Sequence, residues 1–448
     1  MLIMLMLNIN YNAFGIFSKS YNSFKLYDIE YDEVWFEKFQ DDSEALVIYK
    51  IIDSKRNGVS NYGGMLIKPE VNGVIFEGES LKTVFYKNIN KEVDLRGYTS
   101  QVGLQGMIMG KTGQNLNISN ENLYNLYVTI LSLLLAIILT GLIYWVYTEF
   151  NIISGLIVFI FCLYSPYLNG FGNNLYWVFF TCLLPFVSLL MILAYFDRRN
   201  VKYNNWLIGV VTFITILLKV LNGNEYITTI GISLIVPLVY YAIKNSWKLK
   251  DFFIRGLNIA VFAMIAFFTQ ISIWIIQLKS SYGFEEAIRI VKQTIIKRTG
   301  NNAQGLVNIV SEETLKRYEI SMTSNLFEVV SKYLKSPVLP FLNIFNLICI
   351  FGIFLIILII LLLIIRKKKI SVENYMKSIA INIATIFSIL APLSWFILAK
   401  AHSYIHIHMN HVVWHIPFAL LVPIAITQII ICIYNLINRS ITGKTKKN

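Results

Sequence analysis

Long apolar runs without a single charge recur along the chain, at residues 122–148, 150–196, 256–278 and 336–365. About 20 apolar residues in a helix cross a bilayer, and an Asp, Lys or Arg at the centre costs about 2.5–3.5 kcal/mol on insertion scales. Hydrocarbon offers no partner to the backbone, so runs of this length predict helices that satisfy their own hydrogen bonds. The pattern predicts an all-α integral membrane protein with about ten transmembrane helices. Residues 123–278 are expected to hold helices two to seven, and residues 338–438 helices eight to ten. Residues 1–17 are apolar but short, contain Asn8, Asn10 and Asn12, and lack a basic flank and a small-residue cleavage site. They read as an abbreviated first transmembrane helix, clipped at its N-terminus, rather than as a signal peptide.

Basic residues gather in alternate connections between the runs: Arg198, Arg199 and Lys202; then Lys244, Lys248 and Lys250; then residues 366–369; then the 439–448 tail. The positive-inside rule makes these segments cytoplasmic, the C-terminus included. Two long polar segments, residues 18–122 and 279–337, then lie on the outer side of the plasma membrane. In the first, alternating pieces at 45–52, 73–77 and 82–86 predict some β-structure. In the second, residues 285–297 and 312–334 predict amphipathic helices, with Ser311 as an N-cap before Glu312 and Glu313.

Composition removes the alternatives. Only 15% of residues are charged, against about 25% in soluble domains, and the mean hydropathy is +0.59. A soluble globular domain is excluded on this balance. The net charge of +13 follows the orientation of the basic connections and does not signal nucleic acid, for which no motif appears. All four cysteines lie inside apolar runs with no CxxC spacing and read as packing residues.

Candidate chemistry sits in the polar segments. All five histidines fall between residues 402 and 415, at one mouth of the bundle. His402/His406 and His411/His415 are each four apart, so each pair shares a helix face. The spacing suits a metal, but no HExxH or companion carboxylate accompanies it. An interfacial belt of His, Tyr and Trp is the structural alternative. The leading expectation is that Lys400, His402, His406 and His411 contact an anionic phosphate or other substrate group. Among the acids, Asp28, Asp32 and Glu33 follow the first apolar run closely, and Glu225 occupies the minimal turn Asn222-Gly-Asn-Glu-Tyr226. An ionisable group at such a mouth is a functional candidate by default. The segment from Arg96 to Gly106 offers Tyr98, Ser100, Gln101 and Gln105 as uncharged hydrogen-bonding partners suited to a sugar. Arg298, with Lys292 and Lys297, lies on the expected surface helix of the second outer segment, where cations could hold a lipid-borne phosphate.

This arrangement resembles the GT-C superfamily of membrane glycosyltransferases. Tyr98-Thr-Ser-Gln-Val-Gly-Leu-Gln-Gly106 resembles the Tyr-Ser-x-x-Gly-Leu segment of C-mannosyltransferase-like members. Residues 392–403 with the following His/Asn/Trp segment are similar to bacterial members of the superfamily. The resemblance implies transfer of a sugar from a polyprenyl-phosphate-linked donor to a glycan, lipid or protein acceptor outside the cell. It implies a base among Asp28, Asp32 and Glu33 and leaving-phosphate contacts from Arg298, Lys400 and His402, while Glu225 is a candidate from its turn alone. A divalent cation, Mg or Mn, is optional in such enzymes, and no metal ligands are assigned. A polysaccharide polymerase or ligase and a transporter of lipid-linked or small polar substrates are the competing expectations. A carrier should show two similar halves with helices interrupted at matching positions.

Overall fold

Helices form where the charge-free runs lie, and polar caps set their beginnings. Ser119, Asn151 and Asn204 each accept a backbone N–H from the first turn of the helix that follows, at 3.2, 2.9 and 3.2 Å. Each such cap contributes about 1 kcal/mol. The computed structural model describes residues 1–12, 24–26, 29–31, 33–58, 63–67, 85–86, 95–299, 320–367 and 375–441. Among the described residues, eight helices are long and apolar enough to cross a membrane, and a bent pair makes nine. The molecule is a multi-pass helical protein of membrane type. Sheet among the described residues is limited to three two-stranded antiparallel pairings.

The spans are Asn120–Glu149, Phe180–Arg198, Asn205–Asn222, Ile227–Lys244, Leu249–Tyr282, Ile344–Ile365, Met376–Leu398 and His411–Asn438. The bent pair is Ile152–Tyr164 with Pro166–Gly172, which meet at 61°. Pro166 opens the second member; proline supplies no N–H and frees carbonyls of the preceding turn. Those carbonyls are answered inside the protein. Leu163 O accepts from Asn8 Nδ2 at 2.8 Å and from Asn169 Nδ2 at 3.0 Å, and Ser165 O accepts from Asn169 at 2.8 Å. Asn8, one of the asparagines that make residues 1–17 a poor apolar run, thus has a purpose. The helix described there is Leu2–Tyr11, ten residues long, and it packs along Asn120–Glu149 and Pro166–Gly172.

One end of the bundle is held by charge. Lys244 Nζ bridges Glu149 and Asp197 at 2.6 Å each, Lys377 reaches Glu149 at 3.3 Å, and Tyr240 donates to Glu149 at 2.9 Å. This ties together the ends of four helices, at the same end as the basic connections. Described parts of both long polar segments pack at the other end. The helix Glu33–Asn57 lies against Leu104–Asn115, and Phe284–Thr299 folds back along Leu249–Tyr282 and meets Lys400–Ile405. Helices in lipid gain little from apolar burial against each other, so close fit matters more. Gly209 illustrates it: a Cβ there would lie 2.5 Å from the Phe262 ring.

The alternation at 45–52 does not make a strand. These residues fall inside the helix Glu33–Asn57, where Val47, Ile48 and Ile51 are buried at helical spacing. Residues 73–77 and 82–84 lie outside the described residues, as does the Ser311 cap. The amphipathic segments of the second long region are helical where described, as Phe284–Thr299 and Leu326–Leu334.

Candidate functional site

The site is built around the turn between Asn205–Asn222 and the helix starting at Ile227. Tyr226 takes a left-handed conformation, φ 62°, which lets the chain reverse within three residues. Lys219 Nζ donates to Gly223 O at 3.0 Å and Gln101 Nε2 donates to Asn222 O at 3.2 Å, so the turn is pinned from two sides. Glu225 is buried here, and Tyr176 donates its hydroxyl to Glu225 Oε1 at 3.3 Å. Tyr226 is fully buried, donates to Met409 O at 2.6 Å, stacks on Trp177 and meets Trp395 edge-on at 5.3 Å.

The Tyr98–Gly106 segment supports this turn. Tyr98 is half-buried with its N–H on Met65 O at 2.9 Å, and Ser100 is half-buried in the following turn. Gln101 and Gln105 are both buried; Gln105 Nε2 donates to Tyr176 O at 3.0 Å. The glycines of the segment allow a backbone crossing. A Cβ on Gly106 would lie 1.8 Å from Gly64 O, and a Cβ on Gly64 would lie 1.9 Å from Gly103 O. Gly103 itself has φ +71°, a left-handed value that favours glycine.

Trp395 joins the turn to the histidine segment. Its ring meets His402 at 5.7 Å, and its Nε1 donates to Asn410 Oδ1 at 2.9 Å. His402 and His406 face each other at 4.5 Å between ring centroids, as their spacing predicts. His411 and His415 both pack on Tyr167. These two are buried in the bundle, His411 hydrogen-bonded to Ser336 Oγ and His415 to Ser165 Oγ at 2.9 Å. Lys400 Nζ donates to Met322 O and Ser324 O at 2.9 Å each, which fastens the second long segment to the helix Lys400–Ile405. Beside it, Lys332 lies over the Tyr404 ring at 4.3 Å and 3.0 Å from Glu328. Burial pushes the Lys332 ammonium down to about 8.

Three residues were not marked out by sequence. Glu44, 2% exposed, accepts from Tyr124 Oη at 2.8 Å and from the Leu175 N–H at 2.9 Å. It holds the loop whose next residue, Tyr176, touches Glu225. Asn174 braces the same loop, accepting from the N–H groups of Tyr176 and Trp177 at 2.9 and 3.2 Å. Gln270 is fully buried on Leu249–Tyr282 and faces a cleft of about 110 Å³ that Asn224 and Trp395 also line. Leu398 and Ile295, both exposed, stand on the lining of that cleft. A polar residue inside a charge-free run was the available signal for Gln270.

Comparison with protein-family models, curated proteins and solved structures finds no match. Asp28 and Asp32 lie outside the described residues, as do the side chains of Glu33 and Arg298, although Glu33 opens the helix Glu33–Asn57 and Arg298 belongs to Phe284–Thr299. Among the described residues, no three His, Cys, Asp or Glu side chains converge as metal ligands would. What the geometry assembles is a buried carboxylate, two buried carboxamides beside it, and a tryptophan-walled cleft one residue away.

Proposed function

We propose that the protein is a membrane glycosyltransferase that moves a sugar from a polyprenyl-phosphate-linked donor to an acceptor at the outer face of the plasma membrane. The observation that carries this reading is Glu225, a buried carboxylate on a pinned turn next to a cleft lined by tryptophans and amides. Aromatic faces and carboxamides suit the apolar and hydroxylated surfaces of a sugar. A cleft with exposed apolar residues on its lining suits a donor carried in lipid. Glu225 takes the proton from the acceptor hydroxyl as that oxygen attacks the anomeric carbon and the phosphate leaves with the bonding pair. Tyr176 orients the carboxylate. The positive-inside rule puts the Lys244 end in the cytoplasm and this site outside.

A second reading, a carrier for a lipid-linked or small polar substrate, draws support from the broken span Ile152–Tyr164 with Pro166–Gly172. Turnover separates the two. Membranes containing the protein are supplied with a radiolabelled polyprenyl-phosphate sugar, and wild type is compared with Glu225→Gln, Asp32→Asn and Glu33→Gln. Transfer is expected from wild type, with Glu225→Gln slower by about a hundredfold to ten-thousandfold, the contribution of a general base. Absence of transfer, or three variants equal to wild type, would sink the enzyme reading.

A further inference from the structure

The cleft beside Glu225 contains an unusual polar feature. Gln270 is 0% exposed, and neither its Oε1 nor its Nε2 has a hydrogen-bond partner among the described residues. Asn224 Oδ1 and Thr228 Oγ1, on the facing turn and helix start, are buried and unpartnered in the same way. The large majority of buried side-chain polar atoms find a partner, and each orphan costs about 1–3 kcal/mol. Four unpaired atoms around one cleft therefore point to something that enters it.

The surroundings define the ligand chemistry. Among the described residues, no Lys, Arg, His, Asp or Glu lines this cleft, so none of them offers a counter-charge to an anion or cation there. Phe267, Ile271, Trp274, Trp395 and Leu398 make the walls apolar. Both indole N–H groups are committed elsewhere, Trp274 to Thr99 O at 3.1 Å and Trp395 to Asn410, which leaves the rings only apolar surface to offer. A bare isoprenoid chain would match the walls and leave Gln270 unsatisfied. A primary carboxamide, with its donor and acceptor side by side, is complementary to a secondary amide, which presents an acceptor and a donor in the same arrangement. The methyl of an acetamido group would then meet the apolar wall.

We propose that this cleft reads an acetamido group, so that the sugar recognised is an N-acetylated amino sugar, with Gln270 as the specificity-determining residue and Asn224 and Thr228 completing the polar contacts. The proposal deepens the transferase reading and rests on it for the identity of the ligand as a sugar. Asn224 adjoins Glu225 in the chain, so a ring anchored here by its acetamido arm lies beside the carboxylate.

The test is a binding experiment on the full chain in nanodiscs, with octyl N-acetylglucosaminide and octyl glucoside as probes. Wild type is expected to bind the acetamido probe at least about tenfold more tightly. Gln270→Met, close in volume and without polar atoms, should bring the two probes to equal affinity. It should also raise the melting temperature of the unliganded protein, because two orphan atoms are removed. Equal affinity of wild type for both probes overturns the proposal and identifies the cleft as a water or lipid site. Retained discrimination in Gln270→Met overturns it as well. Binding is read without turnover, so acetamido preference with no transfer would fell the transferase reading alone, while transfer without that preference would fell only this proposal.

Discussion

Replacing Gly64 with alanine tests whether the backbone crossing positions the site. The added Cβ would lie 1.9 Å from Gly103 O, 2.3 Å from Gly103 C and 2.4 Å from Val102 O, all backbone atoms that cannot rotate aside. Reaching even 3.0 Å requires the two strands of chain to part by about 1.1 Å. Gln101 and Gln105 ride on the displaced segment. A shift of that size stretches the 3.2 Å bond to Asn222 O and the 3.0 Å bond to Tyr176 O beyond hydrogen-bonding range. Strain of about 1–3 kcal/mol joins about 1–3 kcal/mol for a buried amide left unpaired, a total near 2–6 kcal/mol. Gly231 and Gly256 are the controls, since a Cβ at either meets nothing within 4 Å. Alanine at these helical positions should be neutral or stabilise by up to about 1 kcal/mol. Thermal unfolding in detergent, followed by tryptophan fluorescence, should place Gly64→Ala more than about 5 °C below both controls. If Gly64→Ala melts with the controls, the segment does not depend on close approach and its glycines have another purpose.

Glu44→Ala should destabilise the protein by about 1–3 kcal/mol, since it removes the acceptor of the buried Leu175 N–H. It should also slow transfer by loosening Tyr176; urea titration and turnover on the same preparation check both, and unchanged turnover would detach Glu44 from the site. Lys332 supplies a pH test. Its folded value of about 8 lies below the ordinary 10.5, so the unfolded chain holds the proton more tightly. The resulting penalty is fully present below pH 8 and is relieved as pH rises toward 10.5. Wild type should therefore gain melting temperature relative to Lys332→Met between pH 8 and 10, and parallel curves would refute this. Tyr176→Phe removes the donor to Glu225 while keeping the ring, and should lower kcat by about tenfold with the protein still folded; an unchanged rate would mean that Glu225 is oriented by other groups.

The spans were legible because charge is so costly in hydrocarbon that its absence marks them. The turn at Glu225 could be read because few polar groups sit at the mouth of two apolar runs, and the hydrogen-bonding character of Gln101 and Gln105 because their segment is rich in uncharged polar residues and glycine. Residues 45–52 were misread because a short apolar stretch matches both periods, and only the partner Leu104–Asn115 decides between them. Asn8 looked like a blemish in a span, since its acceptor is a carbonyl freed by a proline more than 150 residues away. Gln270 escaped for a different reason. An amide carries no charge, so a search for charges passes over it, and its significance depends on Asn224 and Trp395 arriving from other helices.

The Lys244 cluster has a consequence for which end of the bundle is tied. Four helices are clamped at that end, while the Leu249–Tyr282 span, which carries Gln270, is only 22% buried, against 78% for His411–Asn438. The clamp leaves the opposite end of the bundle without such a tie among the described residues, and Leu249–Tyr282, one of the two least buried spans together with Ile344–Ile365, forms a wall of the cleft there. The assembly resembles a book bound along its spine, with the cleft set at the unbound edge.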